Sequence, residues 1–221
     1  MDAFSDPNVE RIVCMTASQV GKTEILNNIC GYYVHHDACP ILVLQPTLEM
    51  ARAWSVDRLA PMIASCKPLK DQIGEAKTKD GDNTILLKTF RNGARLSIAG
   101  SNSPASLASR PIRIVLMDEI DRFPPSAGTE GDPVALATRR TQNFFNRKIA
   151  LFSTPTIAGE SRIEAAYAES DQRKYEVPCK CGEYQALKWG NVKWDENEPE
   201  TARYECRKCK ESWTDLERKQ R

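Results

Sequence analysis

No run of apolar residues in this chain approaches the ~18 that a membrane-crossing helix needs. The stretch Met1-Asp2-Ala3-Phe4-Ser5-Asp6-Pro7 also lacks the basic and apolar regions of a secretion signal. These absences point to a cytoplasmic protein with no membrane partner. In that reducing compartment disulfides do not persist, so the spacing of the eight cysteines matters more than their number. There is no excess of charge of one sign either: 31 basic residues face 30 acidic ones, for a net charge of +1. Bulk electrostatics therefore does not mark a nucleic-acid binder, and any such contact has to come from a local patch. At 221 residues the chain is one large domain, or one domain plus a small module, with length enough for a substantial core.

What is present is organised around Thr16-Ala17-Ser18-Gln19-Val20-Gly21-Lys22-Thr23. The apolar run Ile12-Val13-Cys14-Met15 precedes it and a helix-like segment beginning Glu24-Ile25-Leu26 follows, which is the strand, loop, helix order of a phosphate-binding loop. Backbone N–H groups from Ser18 to Glu24 would attract polyphosphate, Lys22 would neutralise the β/γ-phosphates, and the Thr23 hydroxyl would ligate Mg²⁺. The pattern's first glycine is missing, because Thr16 stands there. The loop is then expected to enter its turn without a residue free to take positive φ.

In chain order, residues 10–15 read as a buried strand, 22–35 as the helix after the loop, and Ile41-Leu42-Val43-Leu44 as a central parallel strand. Gln45-Pro46-Thr47 halts that strand; the residues alone favour a turn and N-cap there, opening an amphipathic helix over 47–65. Residues 67–83 are polar and unlike a core. Asn92-Gly93 between two strand-like runs predicts a hairpin. The small-residue stretch from Gly100 to Arg110 suits either a connector or a wrap around a sugar–phosphate backbone.

Ile112 to Met117 is an apolar strand that delivers Asp118, Glu119 and, after Ile120, Asp121. Placed about a hundred residues after a phosphate loop, Asp118 suits the Mg²⁺ shell and Glu119 the polarisation of the attacking water, with Asp121 next in line. Residues 134–145 predict a helix. Lys148 to Phe152 predicts another core strand, ending in Ser153-Thr154-Pro155-Thr156.

The phosphate loop, Leu44-Gln45-Pro46-Thr47, the Gly100 to Arg110 stretch, Leu116-Met117-Asp118-Glu119-Ile120-Asp121 and Phe152-Ser153-Thr154-Pro155-Thr156 occur in the order seen in lambda-type phage terminase large subunits, which this chain resembles over most of its length. The resemblance implies an ASCE-type, RecA-like α/β P-loop ATPase that drives double-stranded viral DNA into a procapsid. It implies ATP and Mg²⁺ as cofactors, Lys22, Asp118 and Glu119 as catalytic residues, and Ser153-Thr154 as a coupling motif. The implied partners are DNA, a terminase small subunit, the portal of the procapsid and further copies of the chain, in the cytoplasm of a host cell. Two departures stand out. The arginine that terminases commonly carry at or next to the position of Gln19 is absent, leaving Arg110, Arg139, Arg140 or a neighbouring subunit to supply one. Family members also have a longer N-terminal portion that helps hold adenine and a C-terminal nuclease domain, so this chain is expected to be a truncated ATPase portion.

Cys179-Lys180-Cys181-Gly182 and Cys206-Arg207-Lys208-Cys209 form two close pairs about 25 residues apart, a spacing that suits tetrahedral Zn²⁺ in a ribbon built of two knuckles. The first pair is C-x-C, tighter than the usual C-x-x-C. Cys14, Cys30, Cys39 and Cys66 read as small buried hydrophobes. The expected architecture is thus a parallel-sheet P-loop core over residues 1–172 and a zinc-ribbon-like β module over 173–221. Arg203, Arg207, Lys208, Lys210, Arg218, Lys219 and Arg221 bias the tail toward positive charge, but acidic neighbours suggest a solvated surface. Two other functions remain compatible with these residues: a superfamily-two helicase or translocase, and a non-catalytic zinc-stabilised assembly module.

Overall fold

Strands β1 (Arg11–Met15), β2 (Pro40–Gln45), β3 (Leu87–Thr89), β4 (Arg95–Gly100), β5 (Ile114–Asp118) and β6 (Lys148–Ser153) form one sheet in the order β1-β6-β5-β2-β4-β3. All neighbours are parallel except β3, which pairs antiparallel with β4 across the expected hairpin. The computed structural model describes residues 2–73, 83–103, 110–214 and 216–217. Parts of the polar 67–83 segment and of the Gly100 to Arg110 stretch, together with Arg218, Lys219 and Arg221, lie outside them.

Both faces of the sheet are covered, which is why the central strands are apolar through their middles, at Ile41–Leu44, Ile114–Met117 and Ile149–Phe152. Successive side chains alternate between faces. Ile41, Val43, Leu96, Ile98, Ile114, Leu116, Ala150 and Phe152 pack on one side with Phe4 of the short helix α1 (Asp2–Ser5) and Leu26, Ile29 and Cys30 of helix α2 (Lys22–His35). Leu42, Leu44, Val115, Met117, Ile149 and Leu151 pack on the other with Ala137 and Ile163. Those two come from helices Pro133–Arg139 and Arg162–Ala168. The first stops six residues short of the expected helix over 134–145. Its end carries Arg140, whose carbonyl accepts from Ile112 N–H, and the chain then has to turn into β6, leaving Phe145 fully exposed. The second, capped by the Ser161 hydroxyl on Glu164 N–H, was not foreseen from the sequence.

The helical run after β2 is capped by Thr47, whose hydroxyl accepts from Met50 N–H at 3.2 Å. It is interrupted by a π-helical turn over Ser55–Leu59, where Ala60 N–H reaches back to the Ser55 carbonyl. Pro61 explains the widening: it has no N–H to give and its ring crowds the carbonyl four residues back.

The chain divides into two compact units, Met1–Ser170 and Asp171–Arg221. The second contains a two-stranded ribbon (Val177–Pro178 with Tyr184–Gln185) and a three-stranded sheet (Val192–Asp195, Glu198–Glu205, Ser212–Trp213). Its core is small: Val177, Cys179, Tyr204, Cys206 and Trp213.

Candidate functional site

Strand β6 lies between β1 and β5, so the phosphate loop after β1, the Ser153-Thr154 pair after β6 and the carboxylates after β5 emerge side by side at one edge of the sheet. Open α/β sheets place ligands at this edge. Thr16 does not turn. Its N–H donates to the Ser153 carbonyl at 3.2 Å and prolongs the ladder, so no positive φ is asked of it there. Left-handed backbone is needed later, at Gln19 (φ 60°) and Gly21 (φ 87°), which corrects the expectation for Thr16. Gly21 caps α2 without a side-chain hydrogen bond, leaving first-turn N–H groups to face an anion. Ser18, Gln19, Val20, Gly21 and Glu24 are exposed and Thr23 is half-buried.

The Lys22 side chain is buried, and its ammonium donates to the Thr154 hydroxyl at 2.8 Å and the Ala17 carbonyl at 3.2 Å. It also pairs with Glu119 Oε1 at 3.5 Å. Glu119 holds a left-handed conformation (φ 54°, ψ 50°) that turns the chain sharply out of β5. Such strain in a non-glycine residue costs about 1–3 kcal/mol and concentrates at functional positions. Its other carboxylate oxygen sits 3.9 Å from Arg122. Asp118 is buried; desolvation raises its pKa, helped by the neighbouring Glu119 charge and opposed by Gln45 and Lys22. Gln45 donates from Nε2 to Asp118 Oδ2 at 3.2 Å. Thr23, Gln45, Asp118 and Glu119 line a cavity of about 320 Å³ whose other wall is Met50, Ala53, Trp54, Asp57 and Arg58.

Ser153 is fully buried; its hydroxyl accepts from Asp121 N–H at 3.3 Å and donates to the Thr154 carbonyl at 3.1 Å. Asp121 is fully engaged. Its carboxylate accepts from Ile163 N–H at 2.8 Å, Thr156 N–H at 3.0 Å and the Thr156 hydroxyl at 3.1 Å. Burial works against its charge, but the hydrogen bonds from Ser161, Ile163 and Thr156 prevail and hold its pKa below the ordinary value. It serves as a clamp on the segment after β6.

Arg139 and Arg140 end a helix beside the start of β5, and Arg110 lies two residues before Ile112 at that same edge. All three are at the edge of the sheet opposite the phosphate loop. Among the described residues the arginine lining the cavity is Arg58, presented by the π-helical turn.

In the second unit the sulfurs of Cys179, Cys181, Cys206 and Cys209 all lie within 4.8 Å of one another, with Cys179 to Cys209 at 3.6 Å and Cys181 to Cys206 at 3.9 Å. Four sulfurs at Zn–S ≈ 2.3 Å in a tetrahedron stand about 3.8 Å apart, so the set fits zinc. The two turns differ by one residue. Gly182 N–H returns to the Cys179 carbonyl, whereas Lys210 N–H returns to the Cys206 carbonyl, and both take positive φ (85° and 61°). The glycine lets the C-x-C turn close one residue sooner. Cys206 also accepts from Gln185 Nε2 at 3.2 Å and Lys208 N–H at 3.4 Å. Burial raises the Cys206 pKa, but hydrogen bonds, led by that from Cys209 N–H, outweigh it and bring the thiol down to about 6. Cys30 and Cys39 are buried, burial pushing Cys39 up to about 12, while Cys14 and Cys66 pack against the core from partly buried positions. Arg203, Arg207, Lys208 and Lys210 each pair with a carboxylate, in keeping with a solvated surface.

A parallel sheet with the phosphate-loop strand separated from the carboxylate strand by one further strand defines a P-loop-like ATPase core. The structure matches the large terminase ATPase domain of Thermus phage P74-26 with a TM-score of 0.53 at 15% identity, covering 80% of this chain and 72% of that one. A point mutant of the same domain matches with a TM-score of 0.51 at 16% identity, over the same shares of each chain. In sequence the chain is 28% identical over 214 residues to the terminase large subunit of Enterobacteria phage P21, and 26% identical over 214 residues to that of Escherichia phage lambda. Each alignment covers 93% of this chain and 33% of the relative, so the chain spans about a third of their length. The family described as phage terminase large subunit gpA, ATPase domain, matches residues 1–221, and the chain belongs to it.

Proposed function

We propose that this chain is the ATPase motor portion of a DNA-packaging terminase large subunit, coupling ATP hydrolysis to movement of double-stranded viral DNA into a procapsid. The observation that carries this reading is the Lys22 ammonium, held at once by Thr154 of the coupling pair and Glu119 of the carboxylate pair. A γ-phosphate competes for the same ammonium. When phosphate takes it, Glu119 is released toward the attacking water and Thr154 is released to report the event. Glu119 then accepts the water's proton as the bond from γ-phosphorus to the ADP oxygen breaks, while Lys22 and the N–H groups of residues 18–24 stabilise the charge that develops.

Thr23 and Asp118 offer hard oxygen donors on one cavity and fit Mg²⁺. When bound, Mg²⁺ neutralises phosphate charge. The cysteine set fits one structural Zn²⁺, with no ligand position left open for catalysis. Family membership favours packaging over the superfamily-two helicase reading. DNA, a small subunit, a portal and further copies of the chain are the partners that follow, with the host cytoplasm as the place of work. No helix among the described residues is long and apolar enough to cross a membrane.

The test is calorimetric titration of the chain with Mg-ATP, alongside phosphate release with and without double-stranded DNA. Wild-type protein is expected to bind, and Lys22→Ala to lose binding. Equal affinity in the two would refute the assignment, and binding without any turnover would favour the non-catalytic assembly reading.

A further inference from the structure

Gln45 ends β2 and is buried at 3% exposure, an uncommon place for an amide that supports no secondary structure with its side chain. Its main chain is fixed from the other side. The Gln45 carbonyl accepts from Ser101 N–H at 2.8 Å, the Pro46 carbonyl accepts from the Ser101 hydroxyl at 2.8 Å, and a Cβ on Gly100 would stand 2.7 Å from the Leu48 nitrogen. The end of β4 is therefore pressed against the Gln45-Pro46-Thr47 turn, and the Gln45 side chain is aimed across to β5. There Nε2 donates to Asp118 Oδ2. Only the NH₂ end of an amide can face a carboxylate in this way.

We propose that Gln45 is a positioning residue for the metal-binding carboxylate: by holding Asp118 Oδ2 it fixes the orientation in which Asp118 addresses Mg²⁺. The proposal rests on the reading of Thr23 and Asp118 as the Mg²⁺ site. A neutral donor is suited to the task. A lysine or arginine at this position would satisfy the same oxygen but cancel the negative charge that attracts the cation, whereas an apolar residue would leave a buried carboxylate free to rotate and short of a partner. The partners behind a ligating carboxylate typically govern metal affinity by about 10–100-fold. Gln45 also lines the cavity itself, so its amide is within the same walls as Thr23 and Glu119.

The experiment measures binding of a fluorescent non-hydrolysable ATP analogue to the chain as Mg²⁺ is titrated, and again in excess chelator, for wild type, Gln45→Leu and Gln45→Met. In Gln45→Leu the Mg²⁺ concentration giving half the metal-dependent gain is expected to rise about 10–100-fold, while affinity in chelator stays at the wild-type value. A merely structural role would move both. Gln45→Met, of similar length and without charge or donor, removes the hydrogen bond to Asp118 and is expected to raise the requirement over the same range. It supplies the reading if Gln45→Leu does not fold. An unchanged Mg²⁺ requirement in either folded variant overturns the proposal. Absence of any Mg²⁺-dependent gain in the wild type overturns the site assignment beneath it, and this inference with it.

Discussion

The Lys22 ammonium and the Thr154 hydroxyl are 132 positions apart in sequence and 2.8 Å apart in space. The contact exists because β1 and β6 are parallel neighbours, with Met15 opposite Ser153, so the loop that leads from β1 into α2 folds over the residue just after β6.

Thr154→Val removes the competitor for the ammonium while keeping the shape of the side chain. A hydrogen bond of about 1 kcal/mol corresponds to about fivefold in affinity, so ATP is expected to bind about fivefold more tightly. Stimulation of turnover by DNA is expected to disappear. Calorimetry and a phosphate-release assay read the two effects, and unchanged values in both would remove Thr154 from the coupling path.

Glu119→Gln keeps a side chain of the same size at the turn but cannot accept the water's proton. Mg-ATP binding is expected to persist while single-turnover hydrolysis falls by about 10²–10⁴-fold. Wild-type hydrolysis in this variant would assign the base to another group, and Asp121 is poorly placed to be it, since its carboxylate already holds Thr156 and Ile163.

Asp121→Ala orphans those donors, and a loss of about 1.5–3 kcal/mol is expected at neutral pH for hydrogen bonds to a charged acceptor. The sign of the pH dependence follows from the lowered pKa. A depressed folded-state value means the stabilisation is complete above the unfolded value of about 3.9 and is lost as pH falls through the lower folded value. The gap between wild type and variant in urea melts should therefore be full at pH 7 and shrink below about pH 4. A gap independent of pH would mean that the charge of Asp121 is not what holds the segment.

For the cysteine cluster, elemental analysis is expected to find close to one zinc per chain. Chelation, or Cys206→Ser, is expected to remove the metal together with protease resistance across residues 177–214. Among the described residues the core there is five buried hydrophobic side chains, too little to hold itself, whereas a structural zinc contributes about 10–16 kcal/mol of apparent binding free energy. Metal-free protein that stays protected would show that the sulfurs merely pack.

Much of the sheet was legible because its strands are short apolar runs bounded by turn residues, and α2 runs over Lys22–His35 as its glycine cap and apolar spacing indicate. Local signals failed where a distant strand sets the limit. The helix expected over 134–145 ends at Arg139 because Arg140 has to meet Ile112. The π-helical turn carrying Arg58 left one trace in the sequence, Pro61, which was readable as a defect but not as a wider turn facing a cavity. Residue types and order marked Lys22, Thr23, Asp118 and Glu119 as candidates. Gln45 gave a weaker sign, a polar residue closing an apolar strand, and its role depends on β2 and β5 being adjacent, a pairing that no local pattern encodes.

Strand β6 is bonded along both edges from Ile149 to Phe152, to β1 on one side and β5 on the other. A strand clasped in this way cannot slide without breaking two ladders at once, so on the proposed function the signal from the phosphate begins with the swing of one hydroxyl beyond the last rung. Side-chain swings of that kind take picoseconds to nanoseconds. Under the proposed function such a relay sets no tempo, which falls to bond breaking, product departure or the load on the DNA.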